Sequence, residues 1–206
     1  MDKKLKIGLV ILSIILIIVL IVVLTRSTDY YHSVIEDKVV FLVDDVTKHY
    51  NYKLLPESKT GTKYTLSFWL YINNLPENSN WNTNYKFEKG IISHFGAPNV
   101  YYIPKDNIVR VKVGYRDGNY KKIYYNNDIR ACNYQKWENI VVTVDDRYVV
   151  VYLNGDNIGG TYLPSIPWIS DRMMYIGQPN NNFNGYIGLV EYFNIALTSK
   201  EIKEKY

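Results

Sequence analysis

Only one of the 206 residues, Cys132, is a cysteine, so no disulfide can form within the chain. No asparagine stands in an N-x-S/T sequon. Both absences fit a domain that does not mature in an oxidising lumen. The three histidines, His32, His49 and His94, are scattered. They offer neither HExxH nor paired ligand spacing, which argues against zinc. There is no G-x-S-x-G and no phosphate-cradling glycine loop, and the lone thiol in RACNY reads as a small apolar filler. Long helical periodicity and solenoid repeats are missing after residue 24. Excess charge is also scarce. The net charge is +4, and Lys3, Lys4, Lys6 and Arg26 against Asp2 supply three of those four charges. The rest of the chain is near neutral, so no nucleic-acid partner is expected.

What is present begins with IGLVILSIILIIVLIVVL, residues 7–24, which carries no charge. As a helix it would be roughly 27 Å long, close to the apolar thickness of a bilayer. It has no polar face, and TRSTD behind it is a poor cleavage site, so a retained anchor is expected rather than a signal peptide. The lysines before it place the N-terminus on the cytoplasmic side and the large domain across the membrane. The cysteine and sequon counts pull mildly the other way. Residues 1–6 are then a basic tail, 7–24 a transmembrane anchor, 25–38 a polar stalk and 39–206 the folded domain. The expected localisation is that of a single-pass membrane protein.

Beyond the stalk the chain alternates strands and turns. In YTLSFWLYI, residues 64–72, Leu66, Phe68, Leu70 and Ile72 face one way, and Trp69 and Tyr71 face the other. Residues 108–115 alternate again, with Val109, Val111 and Val113 opposite Arg110 and Lys112. WENIVVTVDDRYVVVYLNGDNIGGT, residues 137–161, holds two strands and the start of a third. The turn at Asn154-Gly155 has the residues that a type I′ hairpin requires. Further strands are expected at 39–43, 90–96, 123–125, 174–177 and 186–193. Seven or more short strands without a long helix predict an all-β antiparallel two-sheet sandwich. At the end, Thr198 and Glu201 have capping-box spacing and Leu197 and Ile202 staple spacing, which predicts one short helix beside the sandwich.

Three segments carry a family resemblance: YTLSFWLYI, WENIVVTVDDRYVVVYLNGDNI, and MMYIGQPNNNFNGYIGLVEYFNIALTSKEI. Over residues 64–202 the chain resembles the concanavalin A-like lectin/glucanase superfamily in its laminin-G-like branch. KGIISHFGAPNVYYIPKDNIVRVKV is most similar to the membrane-anchored versions found in large DNA viruses. The resemblance implies a jelly roll with one curved sheet. Trp69 and Tyr71 would line its concave face, and Arg110 and Lys112 would join them. Laminin-G-like relatives often hold Ca²⁺ at a loop rim, and Asp145, Asp146, Asn154 and Asp156, which stand on turns here, are candidate oxygen ligands, though no family ligand position is matched. The same residues are also ordinary turn formers. No other cofactor is implied.

Glucanase members of the superfamily carry carboxylates at i, i+2 and i+4 on one strand. Here the strand at 137–144 has only Glu138 and the late strand only Glu191. A glycosidase needs two carboxylates flanking the bond, so catalysis is not expected. The 21 tyrosines and four tryptophans suit binding instead, since their rings offer flat apolar faces with polar edges. The loop NSNWNTNY sets Trp81 and Tyr85 among asparagines and has the chemistry of a recognition loop. The first expectation is a non-catalytic, membrane-anchored module that binds a glycan or a protein surface. The alternative is a minor virion protein in a virion membrane, contacting capsid proteins. A glycoside hydrolase comes last.

Overall fold

The computed structural model describes residues 14–17, 32–42, 48–51, 55, 62–73, 88–93, 96–117, 122–130, 132–169, 173–177 and 184–206. The chain divides into two units, Met1–Tyr31 and His32–Tyr206. In the first, residues 14–17 are helical, and all four of these apolar side chains are exposed. No helix among the described residues is long and apolar enough to cross a membrane. Most of the expected anchor at 7–24 lies outside them.

The second unit is a two-sheet antiparallel sandwich. The first sheet runs β1 (His32–Glu36), β13 (Gly185–Phe193), β4 (Lys63–Ile72), β9 (Trp137–Asp145), β10 (Tyr148–Leu153) and β11 (Asp156–Tyr162), with β2 (Val40–Phe41) also on β13. The second runs β3 (Lys48–Tyr50), β12 (Met174–Ile176), β5 (Lys89–Ser93), β6 (Asn99–Ile103), β7 (Ile108–Arg116) and β8 (Lys122–Ile129). Strand alternation sends every second residue into the space between the sheets. From β4 these are Tyr64, Leu66, Phe68, Leu70 and Ile72, all buried. They meet Val109, Val111 and Val113 of β7 and Ile140, Val142 and Val144 of β9 in one core. The expected β4 and β7 parities are therefore the observed ones.

The turn residues also behave as their chemistry dictates. Asn154 and Gly155 both have positive φ, +53° and +81°, as a type I′ hairpin demands. The C-terminal helix (Ser199–Lys205) starts at Thr198, whose hydroxyl accepts the Glu201 N–H while Glu201 accepts the Thr198 N–H. Leu197 and Ile202 are buried together with Val141, Val150, Tyr152 and Phe193, on the outer face of the first sheet. The helix therefore covers one half of that face. Thr65 is sealed beneath it, donating to the Ile195 carbonyl and accepting from the Leu197 N–H, each at 2.9 Å.

One boundary differs from expectation. The stretch read as stalk contains β1, an edge strand whose His32, Ser33, Val34 and Glu36 pair with β13. Glu36 is only 6% exposed and spans the edges of both sheets. Its carboxylate accepts from the Tyr50 hydroxyl (2.5 Å), the Lys48 ammonium and the Lys38 N–H (3.1 Å). Burial pushes its pKa up, but these hydrogen bonds and the Lys48 charge outweigh that and hold it below the ordinary range.

Candidate functional site: the outer face of the first sheet

The half of this face left open by the helix presents a row of aromatic rings. In the strand registers Phe41 pairs with Tyr186, Tyr186 with Tyr71, and Tyr71 with Trp137. Four strands, β2, β13, β4 and β9, thus each contribute one ring at the same height. Centroid separations are 4.6 Å for Phe41–Tyr186, 5.8 Å for Tyr186–Tyr71 and 5.4 Å for Tyr71–Trp137. Such cross-strand aromatic contacts stabilise the sheet modestly. Phe41 and Trp137, at the ends of the row, stay 41% and 36% exposed. The result is an apolar shelf with phenol and indole edges, open to solvent.

Two residues along β4, Trp69 forms the wall of a cleft beside the shelf. The cleft is also lined by Ser67, Asn139, Leu189, Glu191 and Lys205. Trp69 stacks on Tyr206, with centroids 5.8 Å apart. Glu191 is 4% exposed and accepts from His32 Nε2 at 2.8 Å and Lys205 Nζ at 2.9 Å. The Asn139 amide reaches the Phe68 carbonyl at 3.3 Å and the Ser67 hydroxyl at 3.4 Å. A bulge in β13 shapes the rim. The register slips between Gly188 and Glu191, and Leu189 takes a positive φ of +44° with its side chain exposed. The face therefore joins an aromatic shelf to a cleft with a carboxylate, a carboxamide and a hydroxyl.

Of the residues singled out from sequence, Trp69 and Tyr71 lie on this face. Arg110 and Lys112 do not join them. They project from β7, so they occupy the outer face of the opposite sheet, with the core between. Both are satisfied there. Arg110 makes a bidentate pair with Asp128 (2.6 and 2.7 Å) and reaches Glu88 at 3.0 Å, and Lys112 also binds Glu88. Hydrogen bonding to the Arg110 guanidinium holds the Asp128 carboxyl below its usual range. Trp81 and Tyr85 lie outside the described residues.

The four Ca²⁺ candidates do not form one site. Asp145 and Asp146 lie at one end of the β9–β10 pair and Asn154 and Asp156 at the other, about 20 Å away along β10. Lys63 neutralises Asp145, and Asp146 accepts the Thr62 N–H. The Asn154 side chain accepts the Asn139 N–H at 2.9 Å and donates to Glu138. Among the described residues no three His, Cys, Asp or Glu side chains are grouped to hold a metal ion.

Glu138 and Glu191 are equally separate. Glu138 pairs across β4 with Leu70, on the core side, and Glu191 pairs with Ser67, on the outer side. Two carboxylates on opposite faces of one sheet cannot flank a glycosidic bond. Nothing in the sequence sets Phe41, Trp137 and Tyr186 together. Alternation reveals which side of a strand each occupies, but only the register aligns them.

This architecture is that of a lectin-like β-sandwich. The chain belongs to the concanavalin A-like lectin/glucanases superfamily, with the Laminin_G_3 family matching residues 47–203. No curated protein matches the sequence. Among solved structures it is similar to the botulinum neurotoxin serotype G binding domain, at 16% identity and a TM-score of 0.59 over 86% of this chain and 46% of that one. It is also similar to the binding domain of Paraclostridial Mosquitocidal Protein 1, at 16% identity and a TM-score of 0.56 over 86% of this chain and 47% of that one. At such identities the likeness shows the fold. The chain spans about half the length of these solved structures.

Proposed function

We propose that the chain is a non-catalytic, membrane-anchored binding module that recognises a glycan through the outer face of its first sheet. The carrying observation is the Phe41–Tyr186–Tyr71–Trp137 row. The four rings, turned 29° to 69° from neighbour to neighbour, form an aromatic strip whose rims and edges suit the apolar faces of sugar rings, and the exposed tyrosine and tryptophan edges can bond hydroxyls. The separation of Glu138 from Glu191 supports binding without turnover. The two solved neighbours are themselves binding domains. The uncharged run at 7–24, with its exposed apolar residues 14–17, supports the anchor.

A protein partner would also fit an aromatic strip, and the virion-scaffold reading uses the same fold with capsid contacts. A glycan array probed with residues 30–206 separates them. Binding that is competed by free sugar, and lost on Tyr71→Ala, supports the module. A silent array, with stoichiometric incorporation of the chain into particles, supports the scaffold. Protease protection on intact membranes or particles fixes the side on which the domain lies.

A further inference from the structure

The opposite sheet carries a second feature that the aromatic shelf does not explain. At the turn end of the β7–β8 hairpin, Arg116 and Lys122 are direct cross-strand partners. Like charges in that position repel. Both are exposed, and both lie against one indole: Lys122 Nζ is 3.6 Å and Arg116 Cζ 5.7 Å from the Trp168 ring centre. Neither makes an ion pair among the described residues. That contrasts with Arg110 and Lys112 on the same sheet face, which Glu88 and Asp128 saturate.

The backbone that carries the indole is fixed to β7. The Trp168 backbone N–H donates to the Gly114 carbonyl at 2.7 Å, Pro167 bridges to Tyr115, and the Ser165 hydroxyl donates to the Arg116 carbonyl. These contacts clamp the 164–168 segment along the end of β7. Tyr124, two residues beyond Lys122 and on the same face, is 44% exposed. It lies against Gly114, where an added Cβ would come within 3.2 Å of its ring and 3.1 Å of the Gly96 carbonyl. Two cations without an ion-pair partner among the described residues therefore lie on the sheet face that carries the Trp168 and Tyr124 rings.

We propose that Arg116, Lys122, Trp168 and Tyr124 form a binding site for an acidic saccharide. A carboxylate or sulfate ester bridges the two cations, and the apolar face of the sugar ring lies on the aromatic rims. An oxyanion there removes the repulsion between Arg116 and Lys122, and the guanidinium offers it a two-pronged donor edge. The site is on the opposite outer face from the shelf, so it stands or falls separately from the function proposed above.

The test uses the full chain in neutral-detergent micelles, titrated with a sulfated, uronate-containing hexasaccharide, an uncharged hexasaccharide and inorganic sulfate. Wild type is expected to bind the acidic hexasaccharide and not the uncharged one through this site. The Arg116→Gln/Lys122→Gln variant should lose about tenfold or more in affinity. Arg116→Lys should keep most of it, and Trp168→Phe should weaken it less than the charge removal does. Lys200→Gln, which removes an exposed cation elsewhere, should change it by less than about twofold. The proposal is overturned if wild type does not bind, or if Lys200→Gln costs as much as the double change. It is also overturned if sulfate alone binds as tightly as the saccharide. If the double variant fails to fold, Arg116→Gln against Arg116→Lys decides: equal affinity in the two contradicts the site.

Discussion

Tyr71 and Trp137 stand directly opposite each other on β4 and β9, ring centroids 5.4 Å apart, on the face away from the core. The β4 neighbours of Tyr71, Leu70 and Ile72, are buried in that core. The same few residues thus build the fold with one side and an open aromatic surface with the other. Substitutions on the two sides should have separable consequences.

Trp137→Ala should cost about 1 kcal/mol or less, the scale of a surface aromatic pair. Phe68→Ala, which empties a fully buried site, should cost about 3–5 kcal/mol. Urea denaturation of both variants checks the contrast. Comparable losses would mean that the aromatic row belongs to the folding core.

Glu36→Gln should destabilise the domain by about 1–3 kcal/mol, because it removes the charge that Lys48 and Tyr50 bind across the sheet edges. The Glu36 pKa is lower in the folded state than its ordinary value of 4.5, so its stabilising contribution is full above that pH. The contribution fades as the pH falls through 4.5 and is gone below the folded value. The gap between wild type and variant, measured by thermal melts from pH 7 to pH 3, should close on acidification.

Thr198→Ala should remove the capping box and cost about 1 kcal/mol. Ile202→Ala should cost more, about 2–5 kcal/mol locally, because that side chain pins the helix to the outer face. Faster hydrogen exchange at the helix in both variants, with β4 and β9 still protected, is the expected pattern.

Cys132 is buried, and burial pushes its thiol pKa up to about 12. It should resist a maleimide at pH 8 in the native protein and react promptly in denaturant. Mass spectrometry of the adduct reads this directly.

Local chemistry made much of the fold legible. The β4 alternation, the Asn154-Gly155 turn and the Thr198–Glu201 cap each depend on neighbours within a few residues, and all three hold. β1 escaped notice because it is a short, largely solvent-facing edge strand in a polar stretch, and it pairs with residues near the other end of the chain. Parity alone groups Arg110 and Lys112 with Trp69, because alternation tells which side of a strand a residue takes but not to which sheet the strand belongs. The aromatic row needed still more information. Its rings come from strands far apart in sequence, and register alone brings them level.

The central claim is that this row is a recognition surface and not an active site. Calorimetric titration of residues 30–206 with the best ligand from the glycan array tests it most directly, comparing wild type with Tyr71→Ala/Trp137→Ala and analysing the glycan afterwards. The account predicts affinity lowered by about tenfold or more in the variant, with an intact glycan recovered from both proteins. Unchanged affinity, or cleavage of the glycan that disappears with Glu138→Gln or Glu191→Gln, would contradict it.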